Sequence, residues 1–352
     1  MNKDHFAIIL AGGVGSRFWP VSTENHPKQF HDMLGTGKSL LRHTFERLNK
    51  SIPKENIFVS TNKRYGDLVL QTLPEISKNQ LVLEPAMRNT APAILYAAMK
   101  IRQLNPNAVM IIAPSDHWIE REDVFVEKLA MAFEHVSSYD DLMTLGIKPT
   151  SPNTGYGYIQ YKSGSHPVKK VLRFTEKPDL EQAGRFVAQG DYLWNAGIFI
   201  WSVKSILKAF RSFQPAMYEL FYKGINTYNS DFEDDFINEN YCKTDSISID
   251  YAILEQSNKV SVIPVDMGWS DLGTWGSLFD KLIEKEKNNA IVRGHVFEED
   301  STGNIIRTSG NKKLFIKGLH NYIIVEEGDF LLILPKDNEQ DIKSISKKMI
   351  ND

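Results

Sequence analysis

One cysteine in 352 residues, Cys242, leaves this chain without an intrachain disulfide and without the thiolates of a cysteine-rich metal site. It stands beside Tyr241 and reads as an inert thiol. No apolar run approaches the ~20 residues of a membrane span. A first strand that starts by Phe6 leaves no room for a signal peptide, so a cytoplasmic protein outside the membrane is expected. A dominant charge is missing too. The 41 Lys and Arg stand against 44 Asp and Glu, and a net charge of -3 offers no general attraction to nucleic acid or to an anionic membrane. There is no G-x-S-x-G elbow, no H-E-x-x-H and no catalytic cysteine setting, which removes the common acyl-transfer and zinc-hydrolase chemistries.

What is present is ordinary globular material, 42% hydrophobic and 24% charged, long enough for roughly two domains of about 150 residues each. Short apolar strands alternate with helix-period segments through the first part of the chain, the pattern of βαβ units and a mainly parallel sheet. Strands are expected at 6–10, 57–60, 81–83, 109–113 and 142–146, and helices at 63–73, 90–102 and 123–136. Residues 150–201 are richer in strands, around one helix at 180–188 capped by Asp179. A helix at 249–256 leads into V-S-V-I-P-V and G-W-S-D-L-G-T-W, which close the main domain. After Asn288 the texture turns to short β-type runs broken by glycine, asparagine and aspartate, with a polar helix at 337–350 and no convincing long repeat. The expected fold class is therefore α/β: a Rossmann-like domain with a mixed, mainly parallel sheet over 1–287, then a small C-terminal β-rich, β-helix-like domain over 288–352.

Residues 11–30, A-G-G-V-G-S-R-F-W-P-V-S-T-E-N-H-P-K-Q-F, place glycines, an arginine and a lysine directly after the strand F-A-I-I-L. That is the carboxyl end of a strand, where open α/β sheets bind ligands. A dinucleotide fingerprint fails here, because counting from Gly13 and Gly15 the third glycine position is Phe18. The tempting G-T-G-K-S at 35–39 has Asp32 where a P-loop needs its first glycine, and it reads instead as a turn followed by Ser39 capping the amphipathic helix L-L-R-H-T-F-E-R-L. What survives is G-G-x-G-x-R followed by P-K. Its glycines let backbone N–H groups approach phosphates, and Arg17 and Lys28 supply charge.

Two further strand ends carry polar residues, E-P-A-M-R-N-T-A at 84–91 and P-S-D-H at 114–117, and these should converge with the opening loop on one crevice. Asp116 follows an apolar strand and has two readings, a Mg²⁺ ligand beside substrate phosphates or a helix cap. Asp271, between Trp269 and Trp275, is either a second metal ligand or an Asx-turn residue. Glu176 and Lys177 end a β run before Pro178, where an extended backbone is expected; a sugar-phosphate site and a surface ion pair are both open. Asn195 and Gly197 lie in an apolar strand, where the amide needs a partner, a sugar hydroxyl or the neighbouring backbone. Arg88, Asn89 and Thr90 begin a helix, which Thr90 is expected to cap while Asn89 reads a base edge. A reaction between two phosphates needs no side-chain nucleophile, since a sugar phosphate with a second pKa near ~6 is already a dianion at pH 7.

Together these motifs resemble the sugar-phosphate nucleotidyltransferases, and R-F-W-P-V-S with P-K-Q-F resembles the mannose/GTP branch. E-P-A-M-R-N-T-A-P-A-I, P-S-D-H, G-Y-G-Y-I, F-T-E-K-P, W-N-A-G-I-F, S-I-D-Y-A-I-L-E and G-W-S-D-L-G-T-W follow in the order of that branch. The resemblance implies a GT-A-like nucleotidyltransferase domain and a Mg²⁺-dependent transfer from GTP to mannose 1-phosphate, giving GDP-mannose and pyrophosphate. It places GTP on Leu10, Ala11, Gly12, Gly13, Gly15, Ser16, Arg17 and Lys28, with Asn89 and Thr90 by the nucleoside. It gives Arg17 and Lys28 the catalytic role, Asp116 and Asp271 the Mg²⁺, and Gly157, Glu176, Lys177, Asn195 and Gly197 the mannose 1-phosphate. Alternatives are a heptose or fucose 1-phosphate acceptor, or a silent regulatory paralogue that binds sugar nucleotides. In relatives the C-terminal β region looks like a dimerisation element, so a homodimer through it is expected. Many relatives continue into an isomerase domain. This chain stops at Asp352, and transferase activity alone is expected.

Overall fold

The structure, a computed structural model, describes residues 1–283, 288–310 and 312–351. The chain divides into two compact units, the first Met1–Gly12, Thr44–Ser115 and Ile119–Trp269, the second Gly13–His43, Asp116–Trp118 and Ser270–Asp352. The expected boundary after residue 287 falls at 284–287, outside the described residues.

A nine-stranded sheet carries the first unit. Strands β1 (His5–Leu10), β2 (Ile57–Asn62), β3 (Leu81–Glu84) and β4 (Val109–Pro114) pair in parallel in the order β3-β2-β1-β4. They are apolar without alternation because both faces are covered; Phe6, Ala7, Ile8 and Ile9 are all buried. The remaining strands are β5 (Leu142–Ile147), β6 (Tyr158–Tyr161), β7 (Lys169–Thr175), β8 (Tyr192–Ser202) and β9 (Val260–Val265), and the sheet continues β4-β8-β5-β9-β7-β6. Here β8 runs antiparallel to β4, β5 and β6, while β5 and β9 are parallel, so the sheet is mixed, as expected.

Helix α1 (Leu40–Asn49) opens on Ser39, whose hydroxyl accepts the amide of Arg42 at 3.2 Å, as its sequence predicts. The turn before it closes on Asp32, which accepts the amides of Thr36 and Gly37, so G-T-G-K-S is no phosphate loop. Helices α2 (Gly66–Thr72), α3 (Thr90–Leu104), α4 (Glu122–Ser138) and α5 (Leu180–Gln189) follow near their expected places, and Asp179 caps α5 through the amide of Gln182 at 2.8 Å. Residues 203–222, to which the sequence assigned no element, form α6 (Val203–Phe213) and α7 (Pro215–Tyr222); α8 (Glu233–Asn240) follows. Helix α3 is buried continuously from Ala91 to Ile101. It tolerates Lys100 there only because both oxygens of buried Glu233 meet the ammonium at 2.7 Å. The helix expected at 249–256 is instead a wide π turn, Asp250–Leu254.

The second unit is built on a parallel coil: β10 (Ala290–Arg293), β12 (Ile305–Arg307) and β14 (Tyr322–Glu327) stack in parallel, with β15 (Phe330–Pro335) antiparallel at the edge and β11 (His295–Glu299) paired to β13 (Lys313–Lys317). Helix α9 (Trp275–Leu282) precedes the coil. The expected C-terminal helix begins late, as α10 (Ile342–Asn351) after a tight turn at 336–341. An asparagine stands before each stacked strand, in N-A-I-V, N-I-I-R and N-Y-I-I. Asn289 Oδ1 accepts both the amide and the side-chain NH₂ of Asn304 at 2.9 Å, and Asn304 Oδ1 accepts the amide of Tyr322 at 2.8 Å. This short repeat was missed because its intervals are unequal. The core of the unit joins the coil to the opening segment: Phe18 meets Trp275 and Trp19 meets Phe330, both at 5.1 Å between ring centroids. Among the described residues no helix is long and apolar enough to cross a membrane.

Asn304 is wholly buried; its side-chain NH₂ donates to Asn289 Oδ1 and Leu319 O, and its Oδ1 accepts the Tyr322 amide. Asn304→Ala strands the Tyr322 amide, while the Leu319 carbonyl keeps the Thr302 amide at 3.1 Å, and should cost about 1–3 kcal/mol, the range expected for one buried unsatisfied group. Urea unfolding followed by tryptophan fluorescence measures it.

Candidate functional site

In the second unit the opening loop is organised around one buried lysine. Lys28 begins a tight turn (Lys28–Phe30) after Pro27, and its side chain is only 3% exposed. Its ammonium donates to Asp116 Oδ2 at 3.0 Å and to the main-chain oxygen of Asp271 at 3.0 Å, above the Phe18 ring. Burial works against the ionised Asp116 carboxyl, but Lys28 and then His117 outweigh it and hold its pKa below the usual carboxylate value. Gly15 leaves the space for this lysine. Its φ is +69°, and a Cβ there would stand 2.5 Å from Lys28 Cβ. Gly15, Ser16, Arg17, Lys28, Asp116 and Asp271 line one cavity of about 280 Å³. Arg17 donates from Nε to Gln340 Oε1 at 3.2 Å, a partner the sequence did not suggest. Asp271 closes an Asx turn on the amide of Gly273 at 3.1 Å, as one of its two readings proposed. Asp116 caps no helix, since α4 begins only at Glu122.

These groups test the implied cation. Two carboxylates face a cationic pocket, and no group of three or more His, Cys, Asp or Glu able to hold a metal occurs among the described residues. That donor set is too small to cage a metal alone and suits a hard cation that completes its shell with phosphate oxygens and water.

In the first unit the parallel strands end side by side. Leu10 pairs with Ser60 and with Pro114, and Asn62 with Glu84. Ala11 donates its amide to Ser60 O at 2.7 Å and accepts Thr61 Oγ1 at 2.9 Å, while a Cβ on Gly12 would come 3.9 Å from Glu84 Oε1. Glu84, not singled out from sequence, is a buried carboxylate held by the hydroxyls of Ser60 at 2.9 Å and Tyr241 at 2.6 Å. Burial raises its pKa against both hydrogen bonds. Asn89 and Thr90 lie at the start of α3, but Thr90 does not cap that helix; its hydroxyl accepts the amide of Ile249 at 2.9 Å. Asn89 has φ +59° and donates from its side chain to Ser246 Oγ at 3.1 Å.

Farther along the same sheet Gly157, Glu176, Lys177, Asn195 and Gly197 come together. A Cβ on Gly157 would meet Glu176 Oε2 at 2.5 Å and Asn195 Cβ at 3.4 Å. Glu176 Oε1 pairs with Lys177 Nζ at 2.7 Å. Lys177 is not extended as its place before proline suggested, for β7 ends at Thr175 and Lys177 has φ +45°. Asn195 Oδ1 accepts the amide of Gly197 at 3.0 Å, and its NH₂ donates to Asp250 Oδ1 at 3.0 Å. Asp250 sits inside S-I-D-Y-A-I-L-E, yet no residue-level signal marked it.

A glycine loop beside a buried lysine and two carboxylates suits phosphate chemistry, and a nucleotidyl transferase model matches residues 6–288; the chain belongs to that family. Within it several relatives carry mannose 1-phosphate in their names. The chain is 38% identical over 348 residues to mannose-1-phosphate guanylyltransferase RfbM of Salmonella typhimurium, covering 96% of this chain and 71% of the relative. It is 36% identical to the mannose-1-phosphate guanylyltransferase of Salmonella muenchen, covering 96% and 72%. A crystal structure from Thermus thermophilus, described as a mannose-1-phosphate geranyltransferase, superposes with a TM-score of 0.89 at 27% identity over 98% of this chain and 99% of that one. Enzymes of this family use a divalent metal.

Gly15→Ala should displace the stem of Lys28 and strain the left-handed backbone, lowering stability by about 1–3 kcal/mol. A thermal melt of the variant beside wild type checks this.

Proposed function

We propose that this nucleotidyltransferase is a mannose-1-phosphate guanylyltransferase, making GDP-mannose and pyrophosphate from GTP and mannose 1-phosphate. The observation that carries the reading is the Lys28 ammonium, buried in a glycine-lined cavity with two of its three donors fixed on Asp116 and Asp271 and one left for a phosphate oxygen. A phosphate oxygen of mannose 1-phosphate attacks the α-phosphorus of GTP in line. The bond from that phosphorus to the α–β bridging oxygen breaks, and pyrophosphate leaves with its charge met by Arg17 and Lys28. Leu10, Ala11, Gly12, Gly13, Gly15 and Ser16 bind the nucleotide through backbone and short side chains, with Asn89 and Thr90 by the nucleoside. Gly157, Glu176, Lys177, Asn195 and Gly197 bind the acceptor, which needs no general base because its phosphate is already dianionic near neutrality.

Asp116 and Asp271 would hold the cation, which we assign as Mg²⁺. When bound it supplies positive charge to the phosphate oxygens and lowers the cost of bringing two anions together. The location we propose is the cytoplasm, which supplies GTP; the lone exposed Cys242 suits a reducing compartment. We propose further that two copies associate through the coil, where Phe297, Phe315, Leu331 and Ile333 are more than half exposed.

Pyrophosphate release should be measured with GTP, ATP, UTP and dTTP against mannose, glucose, fucose and heptose 1-phosphates. The pair GTP and mannose 1-phosphate should turn over fastest, and EDTA should abolish release until Mg²⁺ is restored. A faster rate with another acceptor would reassign the sugar, and no release with any pair would make the chain a silent binder. Lys28→Ala should lower kcat by ~100-fold or more. Wild-type turnover in that variant would remove its role. Leu331→Asp with Ile333→Asp should convert a dimer to a monomer in light scattering.

A further inference from the structure

Residues 242–250 are strapped to the loop that starts α3. Arg88 donates to Cys242 O at 2.8 Å, Asn89 to Ser246 Oγ at 3.1 Å, Ala91 N to Ile247 O at 3.1 Å, and Ile249 N to Thr90 Oγ1 at 2.9 Å. The strap delivers Asp250, the first residue of the π turn, whose Ala252, Ile253 and Leu254 are buried. With backbone anchored before it and buried apolar side chains after it, this carboxylate is held in place. Single π turns are rare and recur at functional sites.

The hydrogen-bond partners of Asp250 are neutral. Oδ1 accepts the Asn195 amide at 3.0 Å, and the Ser248 hydroxyl also bonds the side chain. Asn195 is fixed in turn, because its oxygen takes the Gly197 amide at 3.0 Å and Thr144 Oγ1 at 3.4 Å. The backbone amide of Asp250 itself takes a third position, and a carboxylate offers about four, so one remains for a ligand. Burial first, and the nearby Glu176 second, raise the Asp250 pKa to about 6, which marks a carboxylate short of donors. Two carboxylates and one oriented amide, with Lys177 beside Glu176, suit the hydroxyls of a sugar next to its phosphate; they do not suit the phosphate itself.

We infer that Asp250 is a specificity-determining residue for the acceptor: it accepts a hydrogen bond from one ring hydroxyl of the hexose 1-phosphate and holds the Asn195 amide toward the next. This rests on the sugar 1-phosphate reading above and names a residue that reading left out.

The test is kcat/KM at saturating GTP for mannose 1-phosphate and its 2-, 3-, 4- and 6-deoxy analogues, in wild type, Asp250→Asn and Asp250→Ala. Wild type should reject one analogue by about 100-fold or more, because a hydrogen-bonding group is left unpaired. In Asp250→Ala that one ratio should fall below ~10-fold while the other ratios and the KM for GTP stay within ~2-fold. Asp250→Asn keeps the shape and should show an intermediate ratio, which serves if the alanine variant does not fold. Equal losses for mannose 1-phosphate and every analogue would mean that Asp250 is structural, and would overturn the inference. No turnover of any sugar 1-phosphate by wild type removes the underlying reading, and this inference with it.

Discussion

A lysine ammonium held out of water must be paired, and Lys28 obeys that requirement through one carboxylate and one carbonyl. Much of the opening loop follows from it. Gly15 has no Cβ where the lysine stem passes, and Ser22 ties its hydroxyl to Val14 O, drawing the loop back on itself. The turn after Pro27 buries Lys28, Gln29 and Phe30 together. Phe18 lies under the ammonium and against Trp275, so the charged group is seated on the hydrophobic core of its unit. A site that must concentrate anions keeps its cation rigid in this way, because a charge already oriented does not have to reorganise as phosphate charge develops.

The first unit solves the converse problem. Its parallel strands are buried on both faces, so polar side chains can appear only where the strands end. Glu84 and Ser60 do so beside Gly12, and Asn195 on the antiparallel strand β8 donates to Asp250 of the π turn. Glu84 and Asp250 are each met by hydroxyls or amides and keep an elevated proton affinity. Such groups are expensive to bury and poor at stabilising a fold, which is why their placement argues for ligand recognition.

The α/β class, the strands 57–60, 81–83 and 109–113 and the caps at Ser39 and Asp179 were legible, because a continuous apolar run between turn residues and a short polar residue before a helix are local signals. The sequence reading assigns no element to 203–222, where α6 and α7 form. The spacing at 249–256 fits an ordinary helix as well as the π turn that forms at Asp250, since hydrophobic spacing does not separate one wide turn from an α-helix. Lys177 defied the extended preference before proline, and Thr90 gave its hydroxyl to Ile249 rather than to its own helix; tertiary neighbours overrode local preference in both cases. The asparagine ladder of Asn289 and Asn304 was written in the sequence but spaced unevenly.

By itself the sequence determined the kind of chemistry: glycines, Arg17 and Lys28 after a buried strand point to phosphates, because residue types at fixed spacing limit what a loop can bind, and the resemblance of W-P-V-S and P-K-Q-F narrows the family branch. Only the tertiary structure decided who partners whom. That Lys28 rests on Asp116 and Asp271, that Arg17 reaches Gln340, and that Asn195 is oriented by Asp250 are all long-range pairings. They depend on how strands and turns far apart in the chain are brought together, and no local spacing encodes that.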